Sequence, residues 1–314
     1  MTLPDSPSTP ATPAAVLERI VTRPSTLAEG LTIRRALPTR QRRMIGAWCF
    51  LDHIGPVAFA PGHEMHVGAH PHTGLQTFTW MIEGEILHRD SLGSEQVIRP
   101  GQVNLMTAGH GISHTEDSQT DGRRLHAAQL WIALPRAQAH CPPAFEHYAD
   151  LPVWQEAGCT LTLLAGTHAG RTAPTRVHSP LIGMDIASPG AGVSTLELPL
   201  DPRFEYGLLP LEGAVTLADE GETFAPGELA WLGDTRSRLR MDLAPGTRAL
   251  LLGGAPWGED IVMWWNFVDE AREPVARSRQ QWEDRHPRFG SVPGGEHRRV
   301  PAPPLPWASA RPPG

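Results

Sequence analysis

The segments HPHTGLQTFTWMIEGEILHRDSLG (residues 70–93) and PGQVNLMTAGHGISHTE (residues 100–116) set runs of aliphatic, aromatic and Thr residues between turns of Gly, Pro, Asp and Ser. Residues 75–82, LQTFTWMI, read as one strand that Glu83 and Gly84 turn into EILHRDS. Residues 96–98 precede a Pro100, Gly101 turn, and residues 103–106 follow it. Outward from this centre the same texture, broken about every ten residues, runs from Leu31 to about Leu134. Strands so spaced build an antiparallel sandwich or barrel, so the fold class is all-β.

The same segments carry the chemistry. His70 and His72 are separated by one residue, as are His114 and Glu116, and strand residues i and i+2 point to one side. Two such pairs facing inward across a barrel offer three imidazoles and a carboxylate, donors that suit iron, zinc, copper, nickel or manganese. Gly68, Gly74, Gly109 and Gly111 flank the pairs and permit close backbone approach. The bland alternative is that these are ordinary polar residues in a chain with 15 histidines. A zinc-protease helix is the rival metal reading, with His110 and His114 at i and i+4. It lacks the Glu directly after His110, and Gly109 and Gly111 disfavour a helix. His66 and His70 fail similarly, with Gly68 between them. His110 reads as a residue of the pocket or one that supports the ligands from behind, and His88 as turn and strand-end structure beside a turn of Asp90, Ser91 and Gly93.

Composition narrows the rest. The net charge of −7 gives no global attraction for nucleic acid or an anionic membrane. All 27 basic residues are arginines, which excludes Schiff-base lysines and phosphate loops of the Gly-Lys-Ser/Thr kind. No GxSxG elbow is present. Cys49, Cys141 and Cys159 are few and scattered, which fits a reducing, cytoplasmic setting. No apolar run approaches the roughly 18 residues of a membrane span, and the Pro-rich start lacks a signal-peptide pattern. Arg34, Arg35, Arg40, Arg42 and Arg43 form the one basic cluster, read as a solvated face or a contact patch.

Residues 1–25 are expected to be a disordered tail, 26–140 a metal-binding barrel, 141–158 a linker, 159–285 a second barrel with a short helix, and 286–314 a Pro-rich tail. The second barrel is suggested by an echo: Glu212, Gly213 and Pro226, Gly227 repeat Glu83, Gly84 and Pro100, Gly101 at similar spacing. Counting from these anchors puts Pro199, Asp201, Arg240 and Asp242 at the places of the ligands. Two barrels with a single metal site is the simplest reading.

These motifs, with RRALPTRQRRMIGAWCFLDHIGP before them and WWNF and RFG near the end, resemble the pirin family of the cupin superfamily, over nearly the whole chain from Leu31. The resemblance implies a bicupin, two antiparallel barrels of jelly-roll type, with one metal in the first barrel. It places the ligands on His70, His72, His114 and Glu116. The ion would be a divalent transition metal, Fe(II) first, with Cu, Ni, Mn, Co or Zn as alternatives. Three positions depart from the family pattern: Gln76 stands where a Glu is frequent, Leu105 where Trp is common and His110 where Arg is frequent. Gln76 and His110 are therefore candidates for the pocket or for the residues that support the ligands. Some pirins resemble quercetin 2,3-dioxygenases, which open a flavonol ring with O2 and release CO, and Glu116 would then be both ligand and proton acceptor. The alternative is a non-enzymatic, iron-dependent redox sensor that binds a transcription or metabolic partner. A third reading is another O2-dependent or hydrolytic enzyme using the same centre.

Overall fold

Residues 75–82 are buried at every position rather than at alternate ones, which a strand tolerates only when both faces of its sheet are covered. The computed structural model describes residues 16–27, 31–60, 64–119 and 124–307. A first unit contains β1 (Glu18–Val21), β2 (Arg23–Leu27), β3 (Leu31–Leu37), β4 (Trp48–Ala58), β5 (His66–His72) and β6 (Leu75–Glu83). It continues with β7 (Ile86–Asp90), β8 (Glu95–Ile98), β9 (Val103–Thr107), β10 (Ile112–Ser118) and β11 (Arg124–Ala133). The second unit opens with β12 (Ala144–Tyr148), β13 (Val153–Glu156), β14 (Cys159–Ala165) and the small hairpin β15 (Thr167–His168) and β16 (Arg171–Thr172). It runs on through β17 (Leu181–Ser188), β18 (Ser194–Pro199), β19 (Glu205–Glu212), β20 (Val215–Leu217) and β21 (Glu222–Phe224). It ends with β22 (Glu228–Gly233), β23 (Arg238–Leu243) and β24 (Thr247–Gly254), after which come β25 (Val262–Trp264), β26 (Phe267–Asp269) and the helix α1 (Arg272–Glu283).

The bicupin arrangement is present, and the units match strand for strand. One half pairs a seven-stranded sheet, β12-β9-β6-β11-β4-β3-β2, with a four-stranded one, β5-β10-β7-β8. The other pairs β1-β22-β19-β24-β17-β14-β13 with β18-β23-β20-β21. The halves are open two-sheet sandwiches rather than strictly closed barrels. Both echoed dipeptides fall at equivalent turns, before β7 and β20 and before β9 and β22. The strands equivalent to β5 and β10 are β18 and β23, and neither contains a histidine.

The two large sheets pack back to back. Trp48, Phe78, Trp80 and Leu130 of the first unit share a core with Leu164, Leu209, Leu250 and Leu252 of the second. Two indole N–H groups cross it. Trp80 donates to Asp185 Oδ1 at 3.2 Å and Trp48 donates to Ile182 O at 3.1 Å, while Arg248, from the same half as Asp185, clamps that carboxylate at 2.9 Å. Each half then has its own inner core between its sheets, such as Ile33, Ile54, Met81, Ile86 and Ile98 in the first.

Three expected boundaries change. Residues 18–25 are strand, not tail: β1 pairs with β22 of the other half and β2 with β3. The linker is likewise built into sheets, since β12 pairs with β9 and β13 with β14. Each unit thus lends its first strand to the other unit's sheet and covers an edge there, which a local reading of Pro-rich sequence does not reveal. The C-terminal stretch also docks. Val300 N–H donates to Ala69 O at 2.8 Å along the open edge of β5, and Arg298 grips Asp117 at 2.7 and 3.0 Å. The backbone comes so close that a Cβ on Gly68 would lie 1.9 Å from Arg298 O. Residues 1–15 and 308–314, the outer parts of the expected tails, lie outside the described residues. Among the described residues no helix is long and apolar enough to cross a membrane.

Asp185 is buried and accepts both from Trp80 of the first half and from Arg248 of its own half. Asp185→Ala is expected to lower the unfolding free energy in urea by about 2–3 kcal/mol, less than for a fully buried pair because the Arg248 side chain keeps 26% exposure.

Candidate metal centre

β5 and β10 lie antiparallel at the sandwich mouth, with His70 opposite His114 and His72 opposite Ile112. Period-two alternation turns His70, His72, His114 and Glu116 to the inner face. The register then slips, so that Glu116 faces Val67, and the extra residue in β5 brings Val67 to the same face as His70. The three imidazoles offer ligand atoms within 4.8 Å of one another. Their ring centroids are 4.3 to 5.1 Å apart. Glu116 lines the same cavity but is not part of that close set.

Hydrogen bonds select which nitrogen of each ring is free. His70 Nδ1–H donates to Gly68 O at 2.8 Å, which leaves Nε2 bare. On the other strand a relay does the same work. Asp90 accepts from the backbone N–H groups of Leu92 and Ser94, and its second oxygen takes the Nε2–H of His88 at 3.1 Å. His88 is thereby left with a lone pair on Nδ1, 3.3 Å from His114 Nδ1, which must donate. His114 Nε2 and both nitrogens of His72 are buried without a partner among the described residues. Burial lowers the pKa of all three rings, to about 4 for His70 and well below the usual value for His72 and His114, where neighbouring imidazoles add to the effect. Neutral rings with inward lone pairs are what a metal ion requires. Burial, helped by Asp117, raises Glu116 to about 7.

Comparison with known proteins agrees with this geometry. The family pattern described as "Pirin" matches residues 30–132, and that of the "Pirin C-terminal cupin domain" matches residues 190–290. The chain belongs to the pirin family. A Pseudomonas aeruginosa pirin relative named "Putative quercetin 2,3-dioxygenase PA1205" is 60% identical over 292 residues, 93% of this chain and 91% of the relative. A pirin-like protein of Caulobacter vibrioides is 34% identical over 281 residues, 86% of this chain and 94% of the relative. The crystal structure of a quercetin 2,3-dioxygenase from Acinetobacter baumannii superposes with a TM-score of 0.89 at 46% identity, covering 94% of this chain and 97% of that one.

Not every expected residue reaches this pirin's site. Gln76 shares the face of β6 that carries Phe78 and Trp80 toward the other half. Its amide donates to Thr107 Oγ1 and Arg176 O, and the residue does not line the cavity. His110 sits in the β9–β10 turn, where its backbone is bound to Cys141 and Arg288, and it too stays outside the cavity. His88, expected as strand-end structure beside a turn, lies in β7, where it is buried and stacked on Phe145 at 4.3 Å. The sequence signal for it was the alternation of His88 and Asp90, an i, i+2 pair like the other two. The basic cluster divides: Arg35 and Arg43 line the cavity, whereas Arg42 pairs with Glu18 and covers Trp231.

The cavity itself measures about 510 Å3. Its wall includes Phe50 stacked on Trp131 at 3.9 Å, together with Met263, Trp264 and Trp265 from the segment after the second half. A space of this size with aromatic walls and a few polar groups suits a small-molecule ligand.

The relay gives a specific expectation. Asp90→Asn keeps an acceptor for the turn but can set an N–H against His88 Nε2, which reverses the tautomers of His88 and His114. Metal affinity in a competing-chelator titration should fall by about 10–100-fold. His70→Ala with His114→Ala should lose the bound metal equivalent altogether.

Proposed function

We propose that this pirin is a metal-dependent dioxygenase of the quercetinase type, which opens a flavonol ring with O2 and releases CO. The observation that carries the reading is the set of three buried, neutral imidazoles opening onto a 510 Å3 aromatic-walled cavity. The names of its relatives support the substrate class. His70, His72 and His114 would hold the ion and Glu116 would complete the set, with Fe(II) as the first candidate and Cu, Ni, Mn, Co or Zn as alternatives. A bound metal supplies Lewis acidity toward a flavonol hydroxyl and a means of engaging O2.

The chain's own residues then have defined tasks. Phe50, Trp131, Trp264 and Trp265 offer flat apolar surface to aromatic rings and exclude water. Glu116, the carboxylate on the imidazole-bearing wall, would accept the hydroxyl proton. Val300 closes the wall behind the imidazoles, so the docked C-terminal stretch belongs to the working site.

Two measurements test this. Anaerobic loading with Fe(II) and quercetin followed by O2 should yield CO and ring-opened product, and their absence from a fully metallated sample would remove the enzymatic reading. The ligand set has its own test. With the imidazoles already neutral at pH 6, metal uptake should release about one proton from Glu116, and Glu116→Gln should abolish that release. At pH 8 the carboxyl is already ionised and the release should vanish. Calorimetry in buffers of different ionisation enthalpy reads both.

A further inference from the structure

The inner face of the first half's large sheet carries a polar row that the dioxygenase reading does not use. Reading across the strands, Thr79 is opposite Gln129, Gln129 opposite Asp52, Asp52 opposite Arg35 and Arg35 opposite Arg23. Its inner members are joined: Thr79 Oγ1 donates to Gln129 Oε1 at 2.8 Å, and Arg35 clamps Asp52 through two bonds of 2.7 and 2.6 Å. The outer end is not balanced. Arg23 and Arg35 are directly opposed like charges on paired strands, an arrangement that costs stability. Arg43 reaches the same mouth, and Arg23 acts on Asp52 only through its charge, the two bonds to that carboxylate coming from Arg35.

The charges lining the cavity can be assigned in full. They are the guanidinium groups of Arg23, Arg35 and Arg43 and the carboxyl groups of Asp52 and Glu116. Asp52 is taken up by Arg35, and Glu116 lies at the opposite, imidazole-bearing wall. The mouth therefore holds surplus positive charge beside the stacked Phe50–Trp131 pair, with Arg35 4.5 Å from the Phe50 ring. Planar guanidinium forks are matched to a carboxylate, which would also relieve the repulsion between opposed arginines.

We propose that the cavity takes an aromatic carboxylate, its ring against the aromatic wall toward the imidazoles and its acid group received by Arg23, Arg35 and Arg43. This deepens the dioxygenase reading, since it rests on the same metal-bearing cavity and narrows what enters it. A ligand without an acid group would leave the surplus charge of Arg23 and Arg43 at the mouth unanswered.

The test uses the metal-loaded full chain and two probes that share one ring, 3,4-dihydroxybenzoate and its uncharged methyl ester. Binding is read from quenching of the tryptophans that line the cavity. At low salt the acid should bind about tenfold more tightly than the ester, and the preference should shrink as salt screens the exposed arginines. Arg23→Gln with Arg43→Gln should bring the two dissociation constants together by weakening the acid alone, and the variant should melt no lower than the parent because a like-charge contact is gone. Equal binding of acid and ester by the parent, failure of the acid to bind, or equal weakening of both probes in the variant overturns the proposal. Absence of flavonol turnover leaves this binding comparison untouched, so the two readings can fail separately.

Discussion

Three imidazoles held within 4.8 Å of one another, with His114 Nε2 and both nitrogens of His72 buried and unpartnered among the described residues, are the constraint around which the first half is arranged. Each unpartnered buried nitrogen costs about 1–3 kcal/mol, and protonation offers no relief because burial and mutual repulsion oppose a charge. The surroundings keep the cluster in this state. Gly68 O and the Asp90–His88 pair each occupy one nitrogen and so aim the other inward. The C-terminal stretch seals the edge of β5 from outside. Such a centre is poor at stabilising the apo fold and well prepared for an ion.

The second half serves this centre without sharing its chemistry. Its large sheet covers the outer face of β6, β9 and β11, which is why those strands are buried at nearly every position and why Gln76 ends up bonded to a carbonyl of the other half. With both faces of the large sheet buried, strand register is held firmly. The wall that carries Phe50, Asp52, Gln129 and Trp131 is therefore fixed with respect to β5 and β10. Strand exchange by β1 and β12 reinforces this, since neither sheet is complete without the other unit's chain.

The polar row from Thr79 to Arg23 shows how local alternation and global pairing combine. Arg34 and Arg35 are neighbours in the sequence, yet strand alternation sends only Arg35 into the cavity. Arg23 arrives beside it from a segment that composition assigns to a tail. A cluster that looks like a uniform basic surface is thus split between the ligand cavity and the contact between halves, where Arg42 covers Trp231.

Sequence alone determined the all-β class, the two-unit repeat and the inward-facing pairs His70, His72 and His114, Glu116, because period-two alternation and turn residues are local properties legible in a short window. It also marked the positions in the second unit that lack histidine. What a bare sequence leaves open is everything set by contacts between distant segments. Tertiary structure decided that residues 18–27 and 144–156 are strands, that the C-terminal stretch closes β5, and that Gln76 and His110 stay away from the imidazoles. It also drew His88 behind His114. The physical reason is common to all of these: a Pro-rich or isolated polar segment gains order only from the sheet edge or buried partner it meets in the fold.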